Sequence, residues 1–440
     1  MLNVCTARKL ATALAAIGMV STSSAQAESD WSQWGGPRRD FTTTASGLSG
    51  QWPEDGPRKL WSREIGDGFS TIVTNGTTLY TMMRGQNDRE VVIALNAGNG
   101  ETVWEYTYPA PFLEAEVDEY DEKTGEKTGK KKTQKQVTKF GEGPNSTPLL
   151  VDGRLYTIGF TGKMHCLDAA TGSVVWAHDL FNDIGANYLM FGWATSPIAY
   201  EDSIIVLVGG KGRGVMAFDK ADGKVRWKST DYDASYSSPI LVKVDGEDHL
   251  VAYMASDVIG LSPKDGKLHW STEHKNEYNT SIGTPISCPG QRLFFVNGGD
   301  EAGGRLVHLA KKDGKIQPRE IWTNRKIKGG LNNAVLVGNY LYGPNSAGEG
   351  ARFMVAISIE DGQIKWRERE VTGAKGVFAD GKLIILDHDG RLMLTTPSSR
   401  GLKIHSSIQA LEKEAWTTPT LVGKTLYLRD RKTIMAMDLG

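Results

Sequence analysis

Two short patterns alternate along this chain, and their recurrence limits the fold more than any single motif does. The first is an apolar pair, a small polar loop, a glycine, and an apolar pair that ends in tryptophan. It reads ALNAGNGETVW (94–104), CLDAATGSVVW (166–176), AFDKADGKVRW (217–227), GLSPKDGKLHW (260–270) and AISIEDGQIKW (356–366). A sixth copy, HLAKKDGKIQPREIW (308–322), carries an insertion before Trp322. A seventh, LTTPSSRGLKIH (394–405), has His405 where tryptophan is expected.

The second pattern is a cluster of small residues, often closed by proline, followed by two strands around a turn. Copies are STPLLVDGRLYT (146–157), TSPIAYEDSIIV (195–206), GTPISCPGQRLFFV (283–296), TTPTLVGKTLYL (417–428) and the longer SSPILVKVDGEDHLVAY (237–253). STIVTNGTTLYT (70–81), NNAVLVGNYLYG (332–343) and KGVFADGKLIIL (375–386) lack the proline. β-Branched and aromatic residues alternating around Asp-Gly, Asn-Gly or Thr-Gly specify antiparallel hairpins. A four-stranded sheet of this kind cannot bury both faces alone, so it stacks on copies of itself. A closed ring of such sheets protects their edges. The small residues suit a crowded axis, and each Trp can wedge against the neighbouring blade.

Closure is written at the two ends of the sequence. The last copy stops at AMDLG, where a Gly-x-x-x-Trp half should follow, and that half stands near the start as DGPRKLW (55–61), with one residue more between Gly56 and Trp61. The expected fold is therefore all-β: a single eight-bladed propeller of four-stranded antiparallel blades. The last blade takes three strands from the C-terminus and its outer strand from residues 58–65. The expected division is a signal peptide at 1–27, an N-terminal extension at 28–54 and the propeller at 55–440, with a charged insertion at 114–142 between blades 1 and 2.

The signal reading rests on basic Arg8 and Lys9, an apolar run too short to span a bilayer, and the small-x-small site Ala25-Gln26-Ala27. Cleavage after Ala27 predicts an exported, soluble protein of the periplasm or exterior. No cysteine stands in a lipobox position, so a lipid anchor is not expected. Cys166 and Cys288 read as small buried hydrophobes, not as a disulfide framework. With 51 basic against 52 acidic side chains, nothing points to nucleic acid or to a membrane surface. No second apolar stretch reaches transmembrane length, and a monomer is expected.

These half-motifs resemble the PQQ-like repeat family over essentially all of residues 55–440. That family includes quinoprotein alcohol dehydrogenases, which hold pyrroloquinoline quinone (PQQ) and Ca²⁺ at the centre of an eight-bladed ring. It also includes the BamB scaffold of outer-membrane barrel assembly, which has no cofactor. The opening WSQWGGPRRD (31–40) is similar to a set of exported bacterial PQQ-like proteins of this length. The dehydrogenases' adjacent cysteines and a C-x-x-C-H haem motif are both missing from this sequence. The resemblance implies either a non-catalytic envelope scaffold that aids protein assembly, or a PQQ- and Ca²⁺-dependent dehydrogenase of alcohols or sugars. Enzyme activity stays open on the sequence, no catalytic or metal-ligating residue is assigned, and PQQ with Ca²⁺ enters only through the second alternative. There the base would be an Asp such as Asp300 or Asp387.

Loops that lead into the innermost strands should surround a central funnel. They carry Asn145, Trp193, Tyr236, Asn332, Asn333, Lys375 and Trp416, while loops within blades bring Arg84, Asp300, Asn345, Asp387, His388 and Arg429 to the same face. Aromatics mixed with amides and charges suit a small polar ligand or a protein partner of the cell envelope. The alternative is that they cap the channel and satisfy loop backbone. DHDGR (387–391) reads as a hairpin turn before it reads as a Ca²⁺ loop. GGKGRG (209–214) lacks the following helix that a phosphate-cradling loop requires. The insertion EAEVDEYDEKTGEKTGKKKTQKQ (114–136) reads as a long solvated hairpin that pairs its own charges and projects over the funnel face.

Overall fold

The computed structural model describes residues 30–120, 127–276, 278–296, 302–329, 334–345, 353–412 and 414–440. The signal segment 1–27, Asp300, Asn332 and Asn333 lie outside the described residues. Among the described residues there is no helix; eight four-stranded antiparallel sheets follow one another around a ring, beside one two-stranded hairpin. Blade 1 is built from Val73–Thr74, Thr78–Arg84, Arg89–Asn96 and Thr102–Pro109, and blades 2 to 7 repeat that up-and-down order. Blade 8 takes Thr420–Val422, Thr425–Arg429 and Thr433–Asp438 from the C-terminus and Arg58–Glu64 from the N-terminus. The junction pairs Arg58 with Asp438 and Glu64 with Thr433, so one ladder joins the two ends of the chain as the sequence predicts.

The tryptophan pattern acts between blades. Trp104 of blade 1 donates its indole N–H to the carbonyl of Ala169 in blade 2 (3.0 Å), and Trp176 donates to Lys220 in blade 3 (3.1 Å). Trp61, Trp322 and Trp366 make the same bond to the next blade. The rings of Trp61, Trp104, Trp176, Trp227 and Trp322 also cover the glycine of the next copy of the motif, whereas a Cβ on Gly401, in the copy after Trp366, would meet nothing within 4 Å. A Cβ on Gly172 would lie 2.6 Å from the Trp104 ring, and its φ of +73° already selects glycine. Blade 4 departs from this scheme. The insertion in the sixth copy lengthens the outer strands of blade 5 to Gly304–Lys312 and Lys315–Asn324. Gly314 then has no ring over it, and Trp270 packs on Gly260 of its own blade.

The small-residue pattern acts at the axis. The N–H of Thr147 in blade 2 donates to the hydroxyl of Ser196 in blade 3 (3.0 Å), Ser196 to Ser238 in blade 4 (2.9 Å), and Ser238 to Thr284 in blade 5 (3.1 Å). Ser/Thr before proline thus supplies an acceptor to a neighbouring strand where no ladder exists. The extension, to which the sequence assigns no structure, crosses the centre of this ring. Its Trp31 and Ser32 carbonyls accept from Thr74 and Leu150 of blades 1 and 2, and Phe41 and Thr43 bond Phe378 of blade 7. Arg39 is buried, with its guanidinium on the carbonyls of Pro197 (3.0 Å) and Ser196 (3.4 Å). Burial pushes its pKa down to about 9.

Candidate functional site

The loops into the innermost strands put an arc of aromatic rings on the funnel face. Trp416 of blade 8 lies 5.0 Å from Phe69 of blade 1 and 6.3 Å from Phe140 at the end of the insertion. Phe140 continues to Phe191 of blade 3 (5.7 Å), and Phe191 to Tyr236 of blade 4 (5.9 Å). At the other end His388 of blade 7 faces the Trp416 ring at 5.6 Å. Phe140 is 36% exposed and Met190 beside it equally so, while Tyr278 of the next loop is 73% exposed. The remaining large exposed apolar side chains lie on outermost strands.

Several residues chosen from the sequence hold this arc in place. The Asn145 amide donates to the Phe191 carbonyl (3.2 Å), and the Tyr236 hydroxyl accepts from the Phe191 N–H (3.3 Å). Burial raises the Tyr236 pKa to about 12, so its hydroxyl stays neutral. Lys375, 1% exposed, donates to the carbonyl of Ala415 (2.8 Å), next to Trp416. The Trp416 indole N–H donates to Nδ1 of His388 (2.5 Å), which leaves the proton of a neutral His388 on Nε2. Asp387 is fully buried and accepts from Asp389 N (3.0 Å), Arg391 N (2.9 Å) and Arg391 Nε (2.8 Å), which shapes the turn that carries His388.

Other chosen residues are turned inward. Arg429 is 0% exposed; its guanidinium reaches the carbonyls of Ser70, Met82, Gly66 and Gly68 and the Thr81 hydroxyl, and so rivets blade 8 to blade 1. Arg84 donates to Ala110 O (2.8 Å) and Asp88 (3.0 Å) with its guanidinium 4.2 Å over Phe112. Asn345 bonds the backbone of Lys326 and Lys328. Trp193 is 0% exposed and belongs to the core cluster of blades 2 and 3. The position equivalent to Trp416 and Tyr236 is Ala194, one residue later. A one-residue offset in a strand sends the side chain to the opposite face.

Phe69, Phe140 and Phe191 complete the arc without having been singled out in the sequence. Phe69 stands directly before Ser70-Thr71, in the register of Tyr236 and Trp416, so repeat alignment carries a signal for it. Phe140 and Phe191 lie outside the repeat. Arg431 braces the rim, with both nitrogens of one fork on Asp67 (2.7 and 2.6 Å) and the third on Glu414 (2.6 Å). That ion pair and the backbone N–H groups aimed at it hold the Asp67 carboxyl below the usual range, against the opposing effect of burial.

PQQ with Ca²⁺ is the group that the fold family implies, and the residues here can be tested against it. A quinone bearing carboxylates needs cationic donors, and a Ca²⁺ ion needs converging oxygens. The Trp416–His388 face would suit a flat ring. Arg84, Lys375 and Arg429, however, already spend donors on backbone carbonyls, and no group of three His, Cys, Asp or Glu converges among the described residues. The described residues therefore do not fit the group as a whole.

The closed ring, the Trp–Gly contacts between blades and the aromatic mouth define a propeller of the PQQ-like repeat class. Within that class, residues 113–349 match the family described as outer membrane protein assembly factor BamB, over more than half of the chain, and the protein belongs to that family. The BamB of Yersinia pestis is 24% identical over 295 residues, 61% of this chain and 67% of that protein. Among solved structures, a europium-containing methanol dehydrogenase aligns with a TM-score of 0.63 at 13% identity, covering 91% of this chain and 89% of its own. The quinohemoprotein alcohol dehydrogenase of Comamonas testosteroni aligns with a TM-score of 0.61 at 14% identity, covering 94% and 81% respectively. These two likenesses speak for the fold alone.

Proposed function

We propose that this protein is a non-catalytic scaffold of the cell envelope that holds a protein partner at the aromatic arc and so aids envelope protein assembly. The arc carries this reading: six aromatic side chains from five blades and the insertion share one face, and several of them keep exposed area in a protein otherwise closed on itself. Aromatic side chains partly exposed over a rigid frame are the composition of a binding hot spot. Membership of the BamB family supports the same reading. Export by the segment 1–27 would place the protein in the periplasm or outside the cell.

The competing reading, a PQQ- and Ca²⁺-dependent dehydrogenase, draws on the fold likeness and on the flat Trp416–His388 face. One pair of measurements separates the two. Affinity capture from envelope extracts with the wild type and with the W416A/F191A variant is expected to give a partner that the variant loses. Calorimetric titration with PQQ, with and without Ca²⁺, is expected to show no binding. Micromolar, Ca²⁺-dependent PQQ binding together with an indifferent capture profile would overturn the scaffold reading in favour of the dehydrogenase.

A further inference from the structure

The insertion forms a hairpin of Glu114–Tyr120 and Lys127–Lys135 that, among the described residues, pairs with no other strand. An isolated two-stranded sheet is marginal in water, and a third strand or a packed face is what makes such a sheet stable. This hairpin has no third strand among the described residues, yet its roots are fastened. Gln136 accepts from Leu113 N (2.9 Å) and donates to the carbonyls of Leu189 (3.2 Å) and Phe160 (3.4 Å), and the Tyr188 hydroxyl donates to the Gln134 carbonyl (3.0 Å). Below the other root, Arg84 bonds Ala110 and stacks on Phe112, and buried Glu90 ties Tyr108 (2.6 Å) to the N–H of Phe160 in blade 2 (2.9 Å). The arm is thus held at a fixed place, and its Lys127–Lys135 strand is exposed at every residue except Gln134.

The two faces of the hairpin differ in charge. On one face Glu114, Glu116 and Asp118 lie opposite Lys135, Thr133 and Lys131, and Asp118 also pairs with Lys127 (2.6 Å), so acids and lysines face each other there. On the other face Lys132 lies opposite Val117 and Gln134 opposite Ala115, while the Glu119 carboxylate accepts from the Thr128 hydroxyl (3.0 Å). Lys132 therefore has no acid directly across from it, Lys130 falls where the register shifts, and neither makes an ion pair among the described residues, so both stand on an exposed edge strand. A second copy is a poor occupant. Two identical basic edges related by a two-fold axis repel each other, and a basic edge on an acidic edge is a head-to-tail contact that does not close.

We infer that the Lys127–Lys135 strand is a docking edge for an acidic, extended polypeptide segment of another chain. The segment would add a third strand by main-chain pairing, with carboxylates at alternate positions set directly across from Lys130 and Lys132. This site is separate from the aromatic arc and stands whether or not the arc binds a partner.

The test uses the full chain and a labelled peptide of alternating Glu and Thr, followed by fluorescence anisotropy at low salt. Binding is expected to weaken roughly tenfold or more in K130E/K132E, which removes two exposed ion pairs and sets two carboxylates against those of the peptide. The same variant is expected to take up a second labelled peptide, of alternating Lys and Thr, and unchanged thermal unfolding would show that its fold is intact. N-methylation of alternate peptide amides should abolish binding, and W416A should leave it untouched. Several outcomes would overturn the inference. These are equal affinity for wild type and K130E/K132E, indifference to N-methylation, uptake of phosphatidylglycerol vesicles but not of the peptide, or self-association of the chain that K130E/K132E removes without any peptide binding.

Discussion

At the scale of single residues, the polar groups of this ring mostly stabilise backbone that no strand pairs. Arg429 shows why a basic residue at the funnel need not face a ligand. The segment before the innermost strand leaves carbonyls of Gly66, Gly68 and Ser70 without ladder partners, Met82 lies beyond the end of that short strand, and one buried guanidinium has enough donors to satisfy them. His165 shows the opposite economy. It is buried against Tyr106 and Tyr108, ring centroids at 5.1 and 4.3 Å, and burial pushes its pKa down to about 4. Folding favours the neutral imidazole, so its contribution is fully present above the ordinary value of 6.5. That contribution is lost as pH falls towards about 4, because the unfolded chain takes the proton first. Denaturant unfolding as a function of pH is expected to show a stability decline through this window that is shallower in H165Q, each pKa unit corresponding to about 1.4 kcal/mol.

Among elements, the contact between an outer-strand tryptophan and the glycine turn of the next blade is the unit of assembly. Gly172 and Gly153 both have positive φ, +73° and +70°. Only Gly172 has a ring against it, whereas a Cβ on Gly153 meets nothing within 4 Å. G153A should therefore cost about 1 kcal/mol for the left-handed backbone alone. G172A should cost roughly 1–3 kcal/mol more, because Trp104 must move. Guanidinium unfolding of the two variants, compared side by side, measures the difference, and equal losses would mean that the Trp–Gly contact contributes little. At this scale much was legible in the sequence: the spacing of glycine and tryptophan placed the outer strands, except in blade 7, where His405 stands for tryptophan and the spacing alone remained. It could not show that most of these tryptophans cover the glycine of the following copy while Trp270 and Trp366 do not, since that pairing runs between elements far apart in the chain.

For the whole molecule, the clasp of Arg58–Glu64 on Thr433–Asp438 makes the ring a single cooperative body. The extension adds a second tie, because residues 31–43 bond inner strands of blades 1, 2 and 7 across the axis. Removing residues 28–64 is expected to leave blade 8 with three strands and an open edge. Thermal unfolding followed by limited proteolysis should then show a lower midpoint and early cleavage in the C-terminal blade. A single unchanged transition would show that closure adds little to stability.

The candidate site was less legible than the fold. Trp416, Tyr236 and Asn145 stand where the repeat puts the entries to innermost strands, His388 in a loop within a blade, and all four bear on the arc. Trp193 was chosen one residue out of register and lies in the core. Phe140 and Phe191 sit in segments that do not repeat, so no periodicity could place them. The sequence by itself determined the blade, the number of blades and the closure of the ring, because these follow from hydrophobic alternation and turn chemistry, which are local and repeated here many times. Tertiary structure alone decided which polar side chains face inward to backbone carbonyls, where the extension runs, and which rings meet at the mouth. Those outcomes depend on which loops the closed ring brings within a few ångströms of each other, and sequence distance carries no record of that.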